Sequence, residues 1–322
     1  MTDRLRRLER WFLLRANRFL VAGTLTAAVF VAFVLVVSEL PPPFVERMSS
    51  SDPVETLFGT MITVVVTGTT LVVTIGQLVL TQENGPLGDQ QDRMRNSMDV
   101  RESMAELIGS PVSTDPAVFL GDIVETVADR AEELRTSVGG SDDGDFGNEI
   151  EAFTEDVVQN AGAVTERLDG ARFGSFDVVS AALHFDYSRK LARIEHLSAE
   201  YEGSISENEH VLLDDLGALL SLYGPAREHV KTLYFQWALI ALSQQILYAA
   251  VPAVVVAGVT LTVVDATTFP GVTLGIDHVV VAVGAAFAVT LLPFMLFVSY
   301  VLRILTVAKW TLAIEPLVLR DE

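Results

Sequence analysis

TLFGTMITVVVTGTTLVVTIGQLVLTQ, residues 56–82, is the stretch from which the rest of this chain is read. It carries no charge, and at about 1.5 Å per residue a helix of this length reaches past the ~30 Å hydrocarbon core of a bilayer. Its polar residues are ordered: Thr60, Thr63, Thr67, Thr70, Thr74, Gln77 and Thr81 follow one another at spacings of three and four. On a helix these seven lie on one face, and between Thr60 and Thr81 only Thr69 is a polar side chain off it. Three explanations stay open. Threonine is tolerated singly in membrane helices because its hydroxyl bonds the carbonyl one turn back. Hydroxyl residues also form packing seams between helices. The third explanation is the wall of a water-filled pore. A repeat near 3.5 favours a seam or a pore wall, since it keeps one face turned to a neighbour or an axis.

Composition separates the chain into two kinds of segment. Half of the 322 residues are hydrophobic, yet the formal net charge is -20. Between Glu83 and Lys231 lie 31 acidic and 12 basic residues, so nearly all of the charge sits there. Lysine occurs only at Lys190, Lys231 and Lys309, with arginine supplying the other basic residues. Such a composition is expected of a halophilic, archaeal protein whose carboxylates keep its surface hydrated in concentrated salt. The charge repels nucleic-acid phosphates, so no nucleic-acid partner is expected. Absence of cysteine excludes disulfides, thiolate catalysis and cysteine zinc sites.

Residues 1–18, MTDRLRRLERWFLLRANR, hold six arginines among Trp11, Phe12, Leu13 and Leu14, the pattern of an interfacial helix. An apolar run at 19–37 predicts the first membrane helix, uncleaved, because the run is long and ends in Ser-Glu-Leu-Pro-Pro-Pro. PPPFVERMSSSDP reads as a short loop, with Asp52 and Pro53 as N-cap and first-turn proline of the second membrane helix at 56–82. Two further spans are predicted at 234–264 and 278–306, joined by DATTFPGVTLGID. Basic residues concentrate at the N-terminus and after the last span, which places both termini and the middle segment in the cytoplasm of a multi-pass protein of the cell (inner) membrane. Tyr234, Trp237, Tyr300 and Trp310 fall where an aromatic belt would. The domains expected are residues 1–82, an interfacial helix and transmembrane hairpin; 83–233, an acidic helical cytoplasmic domain; and 234–322, a second transmembrane hairpin with a short tail.

Within the middle segment, helices are predicted at 89–108, 116–138, 148–168, 176–201 and 206–223. GGSDDGDFGN at 139–148 reads as a flexible acidic turn. Asp115 before Pro116, and Ser206 heading Ser-Glu-Asn-Glu, are helix starts, and no breaker between His229 and Trp237 separates the last of these helices from the third span.

No nucleophile motif, phosphate-binding loop or zinc-protease pattern occurs, and the five histidines are scattered. Adjacent carboxylates at Asp214 and Asp215 are expected by chance among 42 acidic residues. No enzyme, cofactor or metal is therefore expected. Gln244 and Gln245 lie inside the third span and need polar partners on another helix or in water. Pro252 and Pro293 are candidate bends, and Gly284, Ala285, Ala286 and Ala288 form a small-residue patch suited to close packing. No Asp, Glu, Lys or Arg lies deep in any span, which weighs against a proton- or cation-coupled transporter.

MITVVVTGTTLVVTIGQLVLTQENGPLGDQ resembles the membrane-helix signature of a family of uncharacterised prokaryotic predicted membrane proteins. The residues carrying the likeness are Met61 to Val64, Thr70, Gln77, Leu78, Thr81, Gln82 and Pro86. Leu87 stands where that family has arginine, and the likeness implies no activity. In layout alone, two spans, a helical segment and two more spans, the chain is similar to bestrophin-type anion channels. Their second helix lines the pore; their aromatic neck and their tryptophan-rich stretch are not visible here.

The expected fold is therefore all-α, four transmembrane helices with an inserted helical cytoplasmic domain. The expected function is an oligomeric ion channel in the lipid bilayer, a homo-oligomer whose second helices present Thr63, Thr67, Thr70, Thr74, Gln77 and Thr81 to the pore, with the cytoplasmic helices as its gate. The alternative is a membrane scaffold or signalling protein whose cytoplasmic domain binds a soluble protein partner.

Overall fold

The computed structural model describes residues 12, 16–83, 87–109, 112–138, 144–171 and 174–312. Most of the expected interfacial helix, the first part of the acidic turn at 139–148 and the tail after 312 lie outside them. The fold is all-α, with four helices long and apolar enough to cross a membrane and a further helical bundle. Two compact units divide the chain, residues 1–83 with 238–310, and residues 84–237 with 311–322.

In the membrane unit, α1 (Arg18–Glu39) opens on Asn17, whose side chain accepts the Phe19 N–H at 2.9 Å. It stops before the prolines at 41–43, which cannot extend a helix. The segment read as a loop contains a short helix, α2 (Phe44–Ser51), that buries Phe44 and Met48. Arg47 on α2 donates to the carbonyls of Leu40, Pro41 and Pro42, satisfying acceptors at the turn. α3 (Pro53–Glu83) starts as the sequence indicates, the Asp52 carboxylate accepting the Glu55 N–H at 3.1 Å. The other two spans are the second half of α9 (Glu207–Val263) and α10 (His278–Leu312).

Small residues set how closely these helices approach. A Cβ on Gly284 of α10 would lie 2.9 Å from the Phe33 ring of α1, and one on Gly76 of α3 would lie 3.0 Å from Ser243 Oγ of α9. Around these contacts Val34, Phe58, Ala257 and Val283 form one apolar cluster and Ala22, Val72, Ile246 and Leu296 another. Between α9 and α10, the stretch read as a plain loop pairs β1 (Val272–Thr273) with β2 (Ile276–Asp277) as a two-stranded antiparallel hairpin.

The second unit holds α4 (Leu87–Ile108), α5 (Pro116–Val138), α6 (Gly144–Leu168), α7 (Phe176–His184), α8 (Tyr187–Glu200) and the first half of α9. α5 and α6 pack along complementary stripes, Leu120, Val124, Val127, Ala131 and Leu134 against Phe146, Ile150, Phe153, Val157 and Val164, all buried. These are the three-four spacings of an amphipathic helix. α6 begins four residues before its predicted start, on residues read as part of the flexible turn.

The helix predicted at 176–201 is broken at Phe185 and Asp186. Asn160 of α6 holds the break open, its Nδ2 donating to the His184 carbonyl and its Oδ1 accepting the Asp186 N–H. Ser206 and Glu209 form the reciprocal capping box at the head of α9, the Glu209 carboxylate accepting the Ser206 N–H at 2.8 Å. α9 then continues through Gly224 and Pro225 without interruption into the third span. Near that point desolvation works against the charge of Glu228, but Lys231 and Arg227 outweigh it and hold its carboxyl below the usual carboxylate range.

Candidate functional site

α3 has two faces of opposite character. Val54, Phe58, Met61, Val65 and Val72 are buried against the rest of the membrane unit, and Gly76 continues that row onto Ser243 of α9. Thr60, Thr63, Thr67, Thr70, Thr74, Gln77 and Thr81 are all exposed. Thr60, Thr63, Thr67 and Thr74 each sit two residues beyond a buried position, Phe58, Met61, Val65 and Val72, and two residues turn a helix by roughly 200°. The hydroxyl stripe thus points away from the chain's own helices. It is not a seam within one subunit.

The hydroxyls are largely self-satisfied. Thr60 donates to the Thr56 carbonyl at 2.7 Å, Thr63 to Gly59 at 3.3 Å, Thr70 to Val66 and Thr74 to Thr70 at 2.9 Å each, and Thr81 to Leu78 at 2.8 Å. A back-bonded hydroxyl has committed its proton but keeps lone pairs to offer outward. What the face presents is a ladder of neutral oxygen acceptors that includes the Gln77 amide and ends at Thr81. Such a face can take hydrogen bonds from water, replace part of a cation's hydration shell, or pack against a second hydroxyl face.

Thr69, the one polar residue off the stripe, is half-buried and its Oγ1 finds no hydrogen-bond partner among the described residues. It borders an apolar cavity of about 450 Å³ between α3, α9 and α10, lined by Met61, Val65, Ile246, Pro293 and Phe297. Of the two glutamines singled out from sequence, Gln244 is exposed, whereas Gln245 is half-buried with its Oε1 unpartnered among the described residues. The stripe and the glutamines do not converge on a common point within the subunit through any hydrogen bond among the described residues.

Among the described residues the second unit also holds a charged cluster between α6 and α8 that the sequence does not announce. Lys190 of α8 is 2% exposed, its Nζ 2.9 Å from the Asp156 carboxylate of α6 and over the Phe185 ring. Arg189 shares Asp156, and Arg193 pairs with Glu149 at 2.6 Å. A cavity of about 240 Å³ opens between these residues. Every cation there has a carboxylate from α6, which makes the cluster a clamp between two helices and leaves little charge for a ligand. Among the described residues no three potential metal ligands come together.

No curated protein and no solved structure matches this chain. Its match is to a family of unknown function (DUF7972), which covers residues 1–322, and the chain belongs to that family.

Proposed function

We propose that this membrane protein is the subunit of an oligomeric ion channel whose α3 helices surround a common axis. The observation that carries the proposal is the outward hydroxyl face of α3, turned roughly 200° from the face that packs inside the subunit. Because the face lies on the outside of the bundle, a water-filled path along it requires several copies. Thr63, Thr67, Thr70, Thr74, Gln77 and Thr81 then line the path with neutral oxygens, which favours small ions with weak selectivity. Basic residues at both ends of the sequence orient the acidic unit and the termini toward the cytoplasm.

One observation favours a second reading. The back-bonded threonines need no water, as a dry seam between copies would require. In that case the protein is a membrane scaffold whose acidic unit docks a soluble partner. The absence of native cysteine makes the test direct: single cysteines at 63, 67, 70, 74 and 77 are exposed to a membrane-impermeant thiol reagent in reconstituted vesicles. Reaction at these positions and not at neighbouring Val64 or Val66, together with ion flux, is the expected result. Inert positions that instead form disulfides between copies overturn the channel and leave the seam.

A further inference from the structure

The hairpin between α9 and α10 breaks two local rules at one residue. Thr273 pairs with Ile276, so Leu274 and Gly275 form its two-residue turn. Both have positive φ, 53° and 82°. A turn with two positive φ values is ordinarily filled by Asn-Gly or Asp-Gly, because a leucine Cβ crowds the following carbonyl in the left-handed region. Leu274 is also 97% exposed, so no packing among the described residues compensates the strain. Backbone strain that persists without an internal reason points to a function outside the fold.

The surroundings say what that function is. Phe269 and Val272 are exposed beside Leu274, and residues 266–276 contain no Asp, Glu, Lys or Arg. That stands out in a chain of net charge -20, whose water-facing helices are dense in carboxylates. Charge returns at both ends of the loop, with Asp265 and Asp277. Hydrogen bonds from the Thr267 hydroxyl and backbone keep the Asp265 carboxyl below the usual carboxylate range.

The tip is also tethered close to a span. Leu274 precedes the first residue of α10 by four positions, a reach of at most ~14 Å, so the loop is short enough to lie against a headgroup layer some 5–7 Å deep. β2 packs on α1, and Gly275 and Asp277 share a cavity of about 290 Å³ with Leu40, Pro41 and Phe44 at the end of that helix. α1 is the least buried of the four spans, so the hairpin packs on the span with the most surface left open for lipid. The His278 ring braces it there, bridging the Thr273 hydroxyl at 2.8 Å and the Pro270 carbonyl at 3.2 Å.

We propose that the Phe269–Leu274 tip is a lipid anchor, seated in the headgroup–acyl boundary of the leaflet at the end of the bundle where α9 terminates. An apolar surface that enters this boundary gains from burial of hydrocarbon area, and a charge-free tip loses no ion hydration on entry. Lipid, and no protein partner, is the occupant.

The full chain carrying Leu274→Cys, labelled with an environment-sensitive fluorophore and reconstituted in neutral phosphatidylcholine vesicles, tests this. A nitroxide on the acyl chain just below the headgroup should quench the label several-fold more than it quenches the same label at Thr267→Cys, and aqueous iodide should show the reverse order. Quenching by iodide at 274, or protection from both quenchers, overturns the proposal, the latter in favour of a protein partner. To separate the leucine from the label's own lipophilicity, the fluorophore is moved to Val272→Cys and Leu274→Asn is added, a residue that suits the turn. Nitroxide quenching should fall to the level at 267. If it is unchanged, Leu274 is not the anchor.

Discussion

Single residues decide how closely the membrane helices pack, and glycine does so by what it lacks. In a membrane, helix association draws little on the hydrophobic effect and depends on close contact. Gly284 is where α10 meets α1: an added Cβ would stand 2.9 Å from the Phe33 ring and 3.2 Å from Val34. Phe33 cannot swing freely, since its ring already packs on Phe287 with centroids 5.3 Å apart. Gly258 of α9 provides the control, with nothing within 4 Å of the position an added methyl would take. Gly284→Val is expected to cost about 1–3 kcal/mol through overpacking, which outweighs the helix propensity gained. Gly258→Ala should be neutral or slightly stabilising. Thermal unfolding of both variants in the same detergent checks the pair, and equal effects would mean that the α1–α10 contact is slack. The sequence shows Gly284 as part of a small-residue patch but cannot show which helix fills it.

At the scale of elements, legibility followed the range of the interaction that sets each boundary. α5 has the ends read from sequence, because the signals that set them, Asp115 before Pro116 among them, are local. The break between α7 and α8 was not legible, since it is held by Asn160, a residue 24 positions from His184. The hydroxyl stripe was legible as a period, but its outward direction emerges only once the opposite row on α3 is seen to be buried. α9 shows both kinds of interaction at once. No local breaker interrupts it, and a distant contact fixes it: Tyr223, fully buried, donates to the Ala182 carbonyl of α7 at 2.9 Å. Burial raises the pKa of this phenol, with Arg227 opposing, so it stays a donor at any ordinary pH. Ala182 lies in the last turn of α7, where carbonyls lack helical partners. Tyr223→Phe keeps the ring contact with Phe185 but strands that carbonyl, at an expected cost of about 1–2 kcal/mol. Chemical denaturation of the full chain should register the loss, whereas an unchanged midpoint would show that water replaces the phenol.

For the molecule as a whole, charge and hydrocarbon are segregated along the sequence, and that segregation sets how it responds to salt. Two electrostatic effects in the acidic unit oppose each other. Ion pairs such as Arg189–Asp156 and Arg193–Glu149 are weakened by screening, but exposed pairs are worth only about 0–1 kcal/mol each. Against them stands the mutual repulsion of 31 acidic residues with 12 basic ones between Glu83 and Lys231, which screening relieves. The excess charge is the larger effect, so added salt should stabilise. Screening narrows the Debye length from ~30 Å at ~0.01 M to ~3 Å at ~1 M, so a purely Coulombic gain is nearly complete by ~1 M. If the protein is halophilic, the melting temperature of the full chain in nonionic detergent should keep rising in KCl well beyond that point, because hydration of the carboxylates then adds to screening. A rise that levels off near ~1 M would assign the composition to charge repulsion alone. A fall with salt would mean that the α6–α8 clamp, with Lys190 at its centre, outweighs the net charge.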